Sequence, residues 1–315
     1  MSGAIRDVPF IADARNGKRV TRWWLAIILF FVFFVVNIGI IAALAIIWPS
    51  APGSAAAQLQ EGIGSALSIL VVFAWVGWYE RRHVKTLGFR APGRGVLRLL
   101  LGVVIGVVMM AAPILVLWAT GAYVSDEPPA DATVGWNALP IVLLLLLTVI
   151  AQGSNEEILT RGFLVQSLGQ RLTLVLVVVI QAVLFTAVHG VLTQPIAFGT
   201  IFLFAVFAVF VALREGSLWL VCGIHAGWNW ALGNIFGVAV SGLEPKANAF
   251  FFLRADESAP EWLTGGQFGT EGSLAALIMI VIATAIAIWL YRRRASTWTA
   301  TPLVEAAPRQ PPLAE

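Results

Sequence analysis

Three short polar stretches interrupt a chain that is otherwise apolar over long blocks. They read Asn155-Glu156-Glu157-Ile158-Leu159-Thr160-Arg161, Phe185-Thr186-Ala187-Val188-His189 and His225-Ala226-Gly227-Trp228-Asn229. Two of the three histidines of the chain fall in these stretches; the third, His83, lies in a basic loop and reads as solvated. Residues four apart share one face of a helix. Glu157 and Arg161 therefore pair, Phe185 points with His189, and His225 points with Asn229. Glu156 is rotated about 100° from Glu157, so the two carboxylates meet different partners. The paired one suits structure. The unpaired one, in an apolar setting, suits a general base. Each stretch also has a plainer reading: the histidines and Asn229 as hydrogen-bonding glue between helices, and Glu157 with Arg161 as a structural ion pair. Glu156, with no basic neighbour, is the residue that structure alone explains least.

The elements that carry these residues follow from composition. Of 315 residues, 59% are hydrophobic and 12% charged, against about a quarter charged in ordinary domains, and mean hydropathy is +0.87. A soluble domain, a disordered chain and a nucleic-acid binder are excluded. The net charge of +3 reflects basic residues clustered at the ends of apolar blocks, which is a topology signal. Cys222 is the only cysteine, so an intramolecular disulfide and a cysteine metal cluster are excluded.

Eight apolar segments stand out, near Trp23–Trp48, Ile63–Tyr79, Val96–Tyr123, Ala138–Gly169, Leu172–His189, Ile196–Leu213, Ser217–Val238 and Leu274–Tyr291. About 20 apolar residues cross a bilayer as a helix. The expected fold is an all-α polytopic membrane protein of about eight transmembrane helices. Of the 20 Lys and Arg, all but Lys246 and Arg254 fall on one side of this map, which puts both termini in the cytoplasm. The loops Pro49–Gly62 and Gly121–Asn137, the latter with Asp126, Glu127 and Asp131, read as external. Residues 1–20 read as a mobile, basic cytoplasmic arm, 21–295 as the membrane domain with a core at 138–237, and 296–315 as a disordered cytoplasmic tail. The 239–272 loop is the longest external piece, with room for an interfacial helix. No internal repeat of the transporter kind is visible.

The turn near Arg171, beside Gly169 and Gln170, makes segments four and five a hairpin. Glu156 and His189 then stand about 25 Å from that turn, at similar depth. The turn near Arg214–Gly216 puts His225 about 15 Å along the seventh helix.

The set resembles the signatures of the CPBP family, the CAAX-protease and bacteriocin-processing (Abi) intramembrane proteases. Its Glu-Glu-x-x-x-Arg is Glu156, Glu157 and Arg161, its Phe-x-x-x-His is Phe185 and His189, and its His-x-x-x-Asn is His225 and Asn229. The resemblance covers about residues 138–237. It implies peptide hydrolysis within the membrane, on a membrane-associated, lipidated or other peptide substrate. By analogy Glu156 and His189 activate a water, His225 and Asn229 form the oxyanion hole, and Glu157, Arg161 and Phe185 support them. It also implies a water-filled cavity open to the cytoplasm. The favoured mechanism uses no metal; the alternative is a metalloprotease with zinc on Glu156, His189 and His225. His-Glu-x-x-His, an intramembrane Asp and a Gly-x-Ser-Gly nucleophile are all missing from the sequence. Competing readings are a proton-coupled transporter using the same residues as a relay, and a non-catalytic scaffold or immunity protein. The expected location is a bacterial inner membrane, and the expected partners are the bilayer and a peptide or membrane-protein substrate, not nucleic acid.

Overall fold

The computed structural model describes residues 5–130, 132–244 and 248–300, without the side chains of 296–300. Its helices are α1 (Pro9–Ala12), α2 (Trp23–Ile47), α3 (Ala55–Ala74), α4 (Pro92–Ala119), α5 (Leu139–Glu157), α6 (Gln166–Leu168), α7 (Leu174–Ala187), α8 (Pro195–Glu215), α9 (Trp219–Trp230), α10 (Glu261–Thr264) and α11 (Leu274–Ala300). Three of them widen into π-helical turns, at Trp75–Glu80 after α3, Ile158–Val165 after α5 and Ala231–Ile235 after α9. Two short strands, β1 (Tyr123–Ser125) and β2 (Leu253–Ala255), pair antiparallel with Tyr123 opposite Ala255.

Every expected apolar segment contains a helix, but among the described residues six helical stretches, not eight, are long and apolar enough to cross a membrane. They are Trp23–Ile47, Ala55–Glu80, Val84–Ala119, Gly135–Leu168, Pro195–Glu215 and Leu274–Ala295. The fifth and seventh segments give the shorter α7, of 14 residues, and α9, of 12. For α9 the reason is burial. All of Val221–Asn229 is buried, because α4, α5 and α8 pack around α9. A helix enclosed by protein needs no full bilayer-length apolar face.

Small residues let α9 sink that far. Gly102 and Gly106 on α4 meet Gly223 and Gly227 on α9, and a Cβ on any of the four would overlap the partner helix's backbone. This is the small-xxx-small contact of membrane helices, where close backbone approach replaces a hydrophobic driving force.

The N-terminal segment is not the free arm that its charge suggested. Ile5, Phe10 and Ile11 are buried, and Gln166 and Gln170 donate to the carbonyls of Phe10 and Ile11 at 2.9 and 2.7 Å. Beside them Glu80 accepts from Thr21 and Arg82, and Arg82 reaches Thr86 and Gln166. Apolar side chains among the charges find a ready cleft beside α6 and α8, and together with this network they seal the basic end of the bundle. At the other terminus the α11 backbone stays helical through Ala300; the rest of the expected tail lies outside the described residues.

At the opposite end, the loop read as Pro49–Gly62 is shorter than expected. Ser54 caps α3 by accepting from the Ala57 amide at 3.2 Å, which draws Gln58, Gln60 and Glu61 into the helix. Among the described residues of the 239–272 region the only α-helix is the four-residue α10. The loop is held instead by the β1–β2 pair and by Tyr123, whose hydroxyl donates to the Thr264 carbonyl at 2.9 Å. Burial pushes the Tyr123 phenol up to about 12. Asp131 and Lys246, both read as external, lie outside the described residues.

Candidate active site

The polar stretches sit where regular helix gives way. Glu156 and Glu157 end α5 and Arg161 is in the π turn that follows; Asn229 is near the end of α9, just before its own π turn. Such turns are rare and frequent at functional sites, because they rotate side chains out of the regular helical register. His189 stands just beyond α7, whose N-terminus is capped by Thr173.

The four residues singled out for chemistry come together. Nε2 of His189 and Nε2 of His225 each lie 3.8 Å from Oε2 of Glu156. The other nitrogen of each ring is committed: His189 Nδ1 to the Phe185 carbonyl at 2.7 Å and His225 Nδ1 to Glu157 Oε1 at 2.9 Å. Both partners only accept, so each Nδ1 carries a hydrogen and each Nε2 is directed at Glu156. Oε2 of Glu156 is buried without a hydrogen-bond partner. Its Oε1 accepts from Gln152 Nε2 at 2.6 Å, and Gln152 Oε1 accepts from Asn229 Nδ2 at 2.8 Å.

The supporting residues also fall in place. Arg161 pairs with Glu157 at 3.1 Å, both side chains fully buried, and its guanidinium lies 4.4 Å from the centroid of the Phe185 ring. Phe185 in turn packs against His189, with centroids 4.5 Å apart. Phe204 abuts His225 and Trp228, and the Trp228 indole donates to Glu271 at 3.0 Å.

A cavity of about 1010 Å³ holds the site. Its floor is formed by buried Phe30, Leu159, Thr160 and Phe185, and exposed Pro52, Gly242, Leu243 and Glu244 stand at its mouth. One wall is apolar, from Phe34, Ile38, Ile41 and Ala45 of α2. The mouth is at the end of α3 where the Ser50–Gly53 turn lies, whereas the basic 81–98 loop follows the other end. The expected opening toward the basic face is therefore corrected: that end is sealed by the N-terminal segment.

Sequence reasoning missed Gln152, Glu61, Phe204 and Glu271. Gln152 carried a signal, standing four residues before Glu156 on the same face. Glu61, which lines the cavity, was hidden by the misplaced start of α3. Phe204 and Glu271 had no local signal, since only packing brings them to α9. As for a metal, among the described residues no three His, Cys, Asp or Glu side chains gather in a group fit to hold an ion.

The bundle and its cavity define an integral membrane protein with a carboxylate–imidazole–amide site enclosed by helices. Residues 138–231 match the model of a family described as type II CAAX prenyl endopeptidase Rce1-like. This match spans all three polar stretches and bears out the resemblance to the CPBP and CAAX proteases over that segment. No curated protein and no solved structure matches the chain.

Proposed function

We propose that this protein is an intramembrane endopeptidase of the glutamate type, acting on a lipidated or membrane-bound peptide. The observation that carries the reading is the unpartnered Oε2 of Glu156, faced by the Nε2 atoms of two histidines at 3.8 Å. Two of these atoms, Glu156 Oε2 and His189 Nε2, act as acceptors for the two hydrogens of a water molecule, while His225, held between Glu157 and Glu156, serves as an imidazolium that presents a second N–H at Nε2. Glu156 takes a proton from that water as its oxygen attacks the scissile carbonyl, with His189 orienting it. Asn229 and His225 then face the oxyanion, where a donor held ready in a dry site is worth several kcal/mol. Glu156 returns the proton to the departing amine. The apolar α2 wall supports a substrate with an acyl or prenyl chain, and the sealed basic end leaves access from the bilayer or from the opposite face.

The chemistry is proposed without a metal. Supporting this, Glu157 is taken up by Arg161 and His225, and Asn229 suits an oxyanion hole better than a metal's ligand shell. The location proposed is a bacterial inner membrane with the basic loops cytoplasmic, on the charge asymmetry of the loops.

The test is hydrolysis of a farnesylated peptide ending in a CAAX sequence by purified protein in lipid nanodiscs, followed by mass spectrometry. Cleavage that is lost in Glu156→Gln and kept after exhaustive chelation is expected. Stoichiometric zinc that leaves together with activity overturns the metal-free mechanism, and turnover retained in Glu156→Gln overturns the assignment. Uptake driven by a pH gradient and lost in the same variant would make the protein a transporter instead.

A further inference from the structure

Gln152 lines the cavity between the two residues read as base and oxyanion donor, and it touches both. Its Nε2 donates to Glu156 Oε1 at 2.6 Å and its Oε1 accepts from Asn229 Nδ2 at 2.8 Å. The order of this chain is fixed by chemistry. An ionised carboxylate only accepts, so the amino group of Gln152 must face Glu156. Its carbonyl oxygen then faces Asn229, which must present an N–H.

We propose that Gln152 is a positioning residue that couples the base to the oxyanion donor, reserving Oε2 of Glu156 for the proton and fixing the amide of Asn229 with its nitrogen toward the cavity. This rests on the roles proposed above for Glu156 and Asn229. With Oε1 occupied, the oxygen left to receive a proton is Oε2, the one that faces both histidines. The step balances on that oxygen. An O–H bond of water breaks as the C–O bond forms at the carbonyl, and the proton is carried on Oε2. It then passes to the leaving nitrogen as the C–N bond breaks. At the other end one N–H of Asn229 is spent on Gln152 and the second is free for the substrate oxygen. An Asn229 turned over would aim its own oxygen at the oxyanion, and the bond to Gln152 opposes that rotation.

Two variants of similar side-chain length test this. Gln152→Met makes neither bond; Gln152→Glu loses the fixed donor toward Glu156. Both are made in the full chain in nanodiscs, so that one serves if the other does not fold. On the farnesylated CAAX peptide kcat should fall about 10- to 100-fold, the scale of a small misplacement of reacting groups. KM should stay within about twofold, as for an interaction felt in the transition state alone. Combined with Asn229→Ala, the loss should be less than the product of the two single losses. Independently of turnover, the infrared carboxylate band that Glu156→Gln removes should shift in Gln152→Met. Wild-type kcat with an unmoved band overturns the coupling, and so does a drop in thermal stability with that band unchanged, since that is a structural role. If the wild type does not cleave the peptide, the protease reading fails while the infrared band still decides whether Gln152 governs Glu156.

Discussion

Nδ1 of His225 donates to Oε1 of Glu157 at 2.9 Å, and the same oxygen accepts from Arg161 at 3.1 Å. Adjacent carboxylates thereby divide the work. Glu157 is neutralised by Arg161 and orients an imidazole, while Glu156 turns its free oxygen to the far side of that ring.

Replacing Glu156 by Gln, or His189 by Ala, should abolish peptide cleavage, a loss of about 10²- to 10⁴-fold for a general base. Glu156 is partly exposed to the cavity, with 27% of its side chain accessible, so the fold should survive. Gel filtration and melting in detergent check that survival alongside the activity assay.

Asn229→Ala should lower kcat by about 10²- to 10³-fold, as when one oxyanion-hole donor is removed. KM should change little, because the interaction strengthens only as charge develops on the substrate oxygen. Steady-state kinetics on the CAAX peptide separate the two constants.

Arg161→Met should destabilise the protein by about 3 kcal/mol or more, since removing one partner of a buried pair strands the other charge. Glu157 would be left with His225 alone, and Phe185 would lose its cation. Chemical denaturation in detergent measures this, and equal stability to wild type would refute it.

A side chain larger than hydrogen at Gly106 or Gly223 should prevent α4 and α9 from meeting, because both positions abut partner backbone. Gly106→Val is expected to melt well below wild type and to lose activity, although it replaces none of Glu156, His189, His225 and Asn229. By contrast Gly93→Ala, where a Cβ meets nothing, should behave as wild type.

Tyr123 supplies a pH test outside the spans. Its phenol ionises at 10.0 when free and at about 12 in the fold, where burial opposes the charge. The unfolded chain therefore loses this proton first as pH rises. Stability should fall between pH 10 and about 12, and this part of the fall should vanish in Tyr123→Phe. Near-ultraviolet absorbance of tyrosinate should show one phenol fewer titrating late in the variant.

The sequence alone determined that the chain is a helical membrane protein and that Glu156, Glu157, Arg161, Phe185, His189, His225 and Asn229 belong together. Both follow from local cost: polar groups in long apolar runs are expensive, so they stand out, and four-residue spacing sets their helix faces. Even Gln152 was legible by that rule. Tertiary structure alone decided the length of α9, since whether a helix must span the bilayer depends on what encloses it. It also folded the N-terminal segment against α6 and α8, where charge had suggested a free arm, and so turned the cavity mouth to the other face. Phe204 and Glu271 reach the site by contacts between residues far apart in the chain, and such contacts leave no periodic trace along it.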